Sequence, residues 1–255
     1  MRIERWLAEH GGSIDWLSLY ERWVKMQGWE QPNRHAQVEA MFSMCGLTLG
    51  EPCRILDLGC GPGFLCDVFL QRFPKARAVG VDVDLFLLEM ARHVLSGYGD
   101  RASLVRRDLR HAAWYREIEG PYDLVVSATS LHWLSQKDQR KLYRDTYRLL
   151  RRGGTFMNAD PMFSLSERIR RRFVAWDDAD MTGREETWDD FWPAIQADYS
   201  CREELQEMWE QLDAWEGTDD GYTRDFYFEA LHNAGFTDVD VFWQAGTRVL
   251  YGAIK

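Results

Sequence analysis

Paired cysteines, basic charge and long apolar runs are all scarce in this chain of 255 residues. The five cysteines (Cys45, Cys53, Cys60, Cys66, Cys201) are odd in number and include no CxxC pair. That excludes a disulfide framework and leaves no metal-ligand spacing, so the thiols are expected to be reduced and no metal is expected. No apolar run approaches the roughly 18–20 residues needed to cross a bilayer. The opening Met-Arg-Ile-Glu-Arg-Trp lacks the basic-then-apolar order of a secretory signal, which points to a cytoplasmic protein without a membrane partner. With 41 acidic against 31 basic residues, net charge −10, the chain repels phosphate backbones, and nucleic acid is a disfavoured partner. The run Arg168, Arg170, Arg171, Arg172 reads as a solvated helix face. Sixteen of the acids fall between Asp177 and Asp220, opposed only by Arg184 and Arg202, so the rest of the chain is slightly basic. Nothing in the sequence sets an oligomeric state.

What is present divides into regions of different texture within one expected domain. Residues 1–52 read as tryptophan-rich helices (Trp6, Trp16, Trp23, Trp29) forming an N-terminal cover. Residues 53–160 alternate short apolar runs with helical periodicity, the pattern of a parallel sheet, and residues 221–255 return to a helix and two alternating strands. Residues 161–220 are acidic, helical and again tryptophan-rich (Trp176, Trp188, Trp192, Trp209, Trp215), and read as an inserted lid. Strands are expected at Arg54–Leu58, Ala78–Asp82, around Leu104-Val105, at Asp123–Ser127 and at Thr155–Met157. Ser135 is placed to cap a helix that Gly153 ends, and Gly235 stops another. Val239, Val241 and Trp243, then Val249, Tyr251 and Ala253, alternate as in an antiparallel hairpin.

The chemistry gathers at Asp57-Leu58-Gly59-Cys60-Gly61-Pro62-Gly63, directly after one strand and before a helix. Glycines there let the backbone turn tightly and approach a ligand that any Cβ would block. A lone GxGxG is weak, but Asp82 closes the next strand 25 residues after Asp57, where a carboxylate can accept hydrogen bonds from both hydroxyls of a ribose. A nucleoside-bearing cofactor is expected, and the spacing by itself still admits NAD.

Further motifs separate those cofactors. The acid-GxGxG run, Asp82, Asp108-Leu109, Tyr122–Ser127 and Leu149-Leu150-Arg151-Arg152-Gly153-Gly154 occur in the order found in class I S-adenosylmethionine-dependent methyltransferases, which the chain resembles over roughly residues 53–160 and 221–255. The resemblance implies an α/β, Rossmann-like sheet of seven mostly parallel strands in order 3-2-1-4-5-7-6 with strand 7 antiparallel. It implies S-adenosylmethionine as cofactor and S-adenosylhomocysteine as product, held by Asp57, Gly59, Cys60, Gly61, Gly63, Asp82, Val83 and Ser127, with Asp108 and Leu109 beside the adenine. Tyr20 and Arg34 are candidates for the methionine end.

The turn Ser127-Ala128-Thr129-Ser130-Leu131-His132-Trp133 is similar to that of small-molecule acid methyltransferases of the trans-aconitate and juvenile hormone acid type. It implies a small-molecule acceptor, methylated at a carboxylate or hydroxyl oxygen, beside His132 and Trp133. In those enzymes a glutamine of the N-terminal helix also holds the carboxylate; Gln31 and Gln27 are its candidates, one by distance to the glycine motif, the other by distance after Tyr20. A carboxylate is already ionised near neutral pH and needs orienting donors, whereas an alcohol or phenol needs His132 as a base. The competing expectations are N- or C-methylation of a specialised metabolite, wobble-base modification of tRNA, and cofactor binding without turnover.

Overall fold

The computed structural model describes residues 2–28, 32–116, 118–180, 186–211, 217–218 and 221–255. Three helices, α1 (Arg2–His10), α2 (Trp16–Met26) and α3 (Pro32–Met44), precede β1 (Cys53–Leu58). The chain then alternates through α4 (Phe64–Arg72), β2 (Ala76–Asp82), α5 (Leu85–Val94), β3 (Ala102–Arg106), β4 (Tyr122–Ala128), α6 (Gln136–Leu149) and β5 (Leu150–Phe163). Helices α7 (Glu167–Asp180), α8 (Trp188–Asp198) and α9 (Arg202–Gln211) follow, then β6 (Tyr222–Thr223), α10 (Arg224–Ala234), β7 (Asp238–Ala245) and β8 (Arg248–Ile254).

The strand order is β3-β2-β1-β4-β5-β8-β7, with β8 antiparallel to both neighbours and the two-residue β6 beside the end of β5. This is the expected Rossmann-like order, β6 having shifted the count of the last two strands by one. Alternation along the strands divides the core. Leu56, Leu58, Val125, Phe156, Val249 and Tyr251 pack with α6 and α10, while Ile55, Leu124, Val126, Met157 and Leu250 pack with α3 and α4. Successive side chains of a strand point to opposite faces, so helices cover both sides of the sheet.

Two expected boundaries move. Helix α6 starts as expected, the Ser135 hydroxyl accepting from the Asp138 amide, but it ends at Leu149 rather than near Gly153. Leu150 pairs with Tyr122, and residues 153 and 154 exchange hydrogen bonds with Lys255. The sheet ladder outbids the helical tendency of Arg151 and Arg152. For the same reason β5 extends well beyond Thr155–Met157 in both directions.

The two tryptophan-rich regions meet each other. Trp16, Leu19, Trp23 and Met26 of α2, Phe86, Leu87 and Met90 of α5, Phe191, Trp192 and Ile195 of α8, and Leu205 and Met208 of α9 form one buried cluster. Arg22 joins α2 to the second region through Glu186 (2.8 Å), and Arg2 reaches Glu207 of α9 (3.1 Å). Among the described residues no helix is long and apolar enough to cross a membrane, and no group of acids, thiols and imidazoles is arranged to hold a metal.

Candidate functional site

The carboxyl ends of β1, β2 and β4 and the two tryptophan-rich regions enclose a cavity of about 390 Å³. That is enough for a small organic ligand. Its floor is the turn after β1. Gly59 has φ +67°, and a Cβ there would stand 1.8 Å from the Ser130 hydroxyl, so the glycine lets the turns after β1 and β4 touch. Gly61, at φ +50°, donates its amide to Asp82 at 2.7 Å. Asp82 also accepts from the amides of Val83 (2.7 Å) and Asp84 (2.9 Å). A carboxylate offers roughly four lone-pair positions. About one therefore remains for an outside hydroxyl, where two ribose bonds were expected.

Asp57 and Asp84 complete an acidic floor. Asp57 accepts from the Cys66 thiol at 3.5 Å, and its other carboxylate oxygen is buried without a partner among the described residues. Burial, with the charge of Asp82 behind it, pushes its carboxyl up to about 7. Asp84 caps α5 through the amides of Phe86 and Leu87 and accepts the indole N–H of Trp209 at 3.2 Å. Burial and Asp82 raise it to about 6. Burial also raises Asp82, against the pull of its three backbone bonds. The described lining contains no Lys, Arg or His. Cys60 lines the cavity as an inert thiol, burial holding it well above the usual range.

The turn after β4 supplies Ala128, Thr129, Ser130 and Trp133 to the wall. Thr129 sits at φ +50°, a conformation costly for a β-branched residue, held by the hydrogen bond that its N–H donates to the Ala159 carbonyl (2.9 Å). His132 lies behind this wall. It is buried, outside the lining, its ring centroid 4.8 Å from that of Trp133, and its Nδ1 is 2.7 Å from Asp160. Asp160 also accepts from the His132 amide and from Asn158, whose carboxamide donates to Tyr251 as well. A buried carboxylate at Nδ1 makes Nδ1 the protonated nitrogen, the tautomer assigned from this network. The carbonyls of His132 and Trp133 are taken by the amides of Thr218 and Gly217, so the returning chain is tied to this turn.

Of the residues singled out in the sequence, Asp57, Gly59, Cys60, Gly61, Asp82, Val83, Trp133 and Gln27 converge on the cavity. Gln31 lies outside the described residues, as does Trp215. The other candidates stand away from the lining. Gly63 packs its α-carbon near Leu95 and Ala91, and the Ser127 hydroxyl bridges β4 to β1 through the Leu58 carbonyl (2.6 Å). Asp108 is clasped by Arg110 at 2.7 Å, and Leu109 is buried in the core facing α6 and α10. Tyr20 packs against the α2–α5 cluster, and Arg34 is buried on Gln37 at 3.0 Å.

Asp84 and Trp23 line the cavity without having been singled out as site residues. Both carried a signal. Asp84 precedes α5 as its cap, two residues after Asp82, and Trp23 stands one helical turn before Gln27 on the same face of α2.

Residues 55–154, from β1 into β5, match a family model described as a methyltransferase domain. A malonyl-[acyl-carrier protein] O-methyltransferase of Legionella pneumophila is 35% identical over 42% of this chain and 35% of its own length. A trans-aconitate 2-methyltransferase of Azoarcus sp. is 35% identical over 42% of this chain and 38% of its own. The chain thus spans little more than a third of the length of these two relatives. An O-methyltransferase family protein from Burkholderia thailandensis superposes with a TM-score of 0.55 at 19% identity, over 87% of this chain and 56% of that one, a likeness of fold. The resemblance to class I methyltransferases is thus carried by the segment that holds the glycine turn, Asp82 and the turn after β4.

Proposed function

We propose that the protein is an S-adenosylmethionine-dependent methyltransferase that acts on an oxygen of a small molecule, with a carboxylate as the preferred acceptor. The observation that carries this is the charge of the cavity floor: Asp57, Asp82 and Asp84 without a base among the described lining. Such a floor opposes the diphosphate of a dinucleotide and suits a nucleoside that bears an ammonium and a sulfonium. The unpartnered oxygen of Asp57 fits a cationic donor, and the remaining lone pair of Asp82 fits a ribose hydroxyl. When bound, that cofactor supplies an activated methyl group for in-line displacement by the acceptor oxygen.

The chain's own residues orient the acceptor and keep water away. Gln27 and Trp133 both line the cavity, and the Gln27 carboxamide is a neutral donor that orients a carboxylate without the tight pairing that would weaken it as a nucleophile. His132 sits behind Trp133 and stacks on it at a tilt, so it acts as a positioning residue for that indole. A carboxylate acceptor needs no base, and His132 stands outside the lining. The helices over the cavity, α8 and α9, close it from solvent as a lid, tied to the floor by the Trp209–Asp84 bond.

Methyl-labelled cofactor incubated with the protein and a metabolite extract should give a labelled small product. Labelled RNA, or cofactor binding with no labelled product, would overturn this reading. His132→Ala should then lower kcat/KM for the true acceptor on the order of 10–100-fold with an unchanged pH profile, as expected for lost alignment. Disappearance of a limb near the imidazole pKa would instead make the acceptor an alcohol or phenol and His132 its base.

A further inference from the structure

The wall facing the acid floor is built of indoles. Trp23 comes from α2, Trp188 and Trp192 from α8, Trp209 from α9 and Trp133 from the turn after β4, and all five line the same cavity. Four of them, Trp23, Trp188, Trp192 and Trp209, meet edge to face rather than as loose neighbours: Trp188 and Trp192 have ring centroids 5.8 Å apart, and Trp192 and Trp209 5.1 Å. Interlocked rings of this kind form a rigid apolar surface that keeps its shape when a ligand leaves. Trp188 remains 44% exposed at the rim although it is the type of side chain that a fold normally buries.

Charge narrows the ligand further. A single carboxylate on the acceptor is offset by the sulfonium it attacks. A second anionic group has no such partner, because the described lining holds three acids and no base. From these two facts, and resting on the functional reading above, we infer that the acceptor's body is an uncharged flat aromatic ring system, carried against the tryptophan wall, with at most one carboxylate. Aliphatic di- and tricarboxylates are excluded by the same charge argument, despite the likeness of the turn after β4 to enzymes that methylate them.

The test uses cinnamate as an aromatic monocarboxylate and trans-aconitate as an aliphatic tricarboxylate. Cinnamate should quench tryptophan fluorescence and accept labelled methyl with a kcat/KM at least roughly tenfold above trans-aconitate, a tenfold step being the worth of one well-made contact. Trp188→Leu, at the exposed rim where folding is least at stake, should raise the KM for cinnamate about 3–10-fold and leave cofactor affinity unchanged. Preference for trans-aconitate would overturn the inference. So would a Trp188→Leu variant of native circular dichroism whose loss falls on cofactor affinity, because the wall would then belong to the cofactor. Cofactor binding without methylation of any aromatic acid or alcohol would also overturn it. Should the cofactor itself fail to bind, the functional reading falls, and cinnamate quenching in its absence still decides whether the wall takes an aromatic acid.

Discussion

The floor and the wall of the cavity are made in different ways. The floor comes from two tight turns: Asp57, Gly59 and Gly61 lie within five residues of one another, and Asp82 and Asp84 lie at the end of the adjacent strand. Its geometry is set by backbone amides, three of which bind the Asp82 carboxylate. The wall draws tryptophans from positions 23, 188, 192 and 209, brought together when α2, α8 and α9 pack on α5, and Trp133 from the turn after β4. A local backbone device recurs wherever the same ligand must be held. A wall of side chains on helices outside the sheet is free to change with the acceptor.

The largest effect should come from breaking the floor. Asp82→Ala removes an acceptor of three amides and the candidate ribose partner, and calorimetry should show cofactor affinity reduced roughly 10–100-fold, at about 1.5–3 kcal/mol for a charge-assisted bond. Acceptor quenching by the wall should persist. Unchanged cofactor affinity would remove Asp82 from the cofactor's site.

A smaller effect follows from the raised carboxyls of Asp57 and Asp84, at about 7 and about 6. Both bind protons more tightly in the folded chain than in the unfolded one, where the ordinary value is 3.8. The folded state therefore holds more protons between about pH 4 and 7, and the stability of the free protein should fall as pH rises through that window. A cationic cofactor reverses the preference at Asp57, since it favours the ionised form. Its affinity should rise several-fold from about pH 6 to 7, with proton release on binding visible as a buffer-dependent heat. A flat profile with no proton release would place the cofactor's positive charge away from Asp57.

The smallest effect belongs to the seam between floor and wall. Trp209→Phe keeps a ring in the wall and deletes the bond to Asp84. The lost bond is worth about 1 kcal/mol, or roughly fivefold in the equilibrium for local opening of α9. Hydrogen exchange in α9 should quicken by about that factor while β1 and β2 stay as protected as before. Equal exchange in variant and parent would show that the apolar cluster alone holds α9 down.

The same contrast governs what the amino-acid order reveals. The sheet order, the glycine turn, Asp82, the Ser135 cap and the terminal hairpin were legible because each rests on short-range periodicity or a single turn. The end of α6 was not, because pairing of Leu150 with Tyr122 decides it from a distance. The resemblance implies Asp108 beside the adenine; in the fold Arg110, two residues on, engages both its oxygens, and Asp108 stands outside the cavity lining. His132 and Trp133 are neighbours in sequence, but only the indole faces the cavity, since Asp160 draws the imidazole back. The tryptophans of α8 were legible as part of a helical insert after β5; that Trp23 joins them needed the packing of α2 on α5.

The pairing of β5 with β6 bears on how this architecture changes over time. Met162 lies beside Tyr222 and Phe163 beside Thr223, so the chain leaves the sheet and rejoins it at adjacent points. Closing a loop between fixed neighbouring ends costs entropy that grows only with the logarithm of its length, about 0.6 kcal/mol for each doubling. The stretch between Phe163 and Tyr222 can therefore be lengthened, shortened or exchanged as a cassette while every strand keeps its register. A foreign cassette grafted at these two junctions would meet the sheet at the same two points, while Trp23, Gln27 and Trp133 stay with the parent chain.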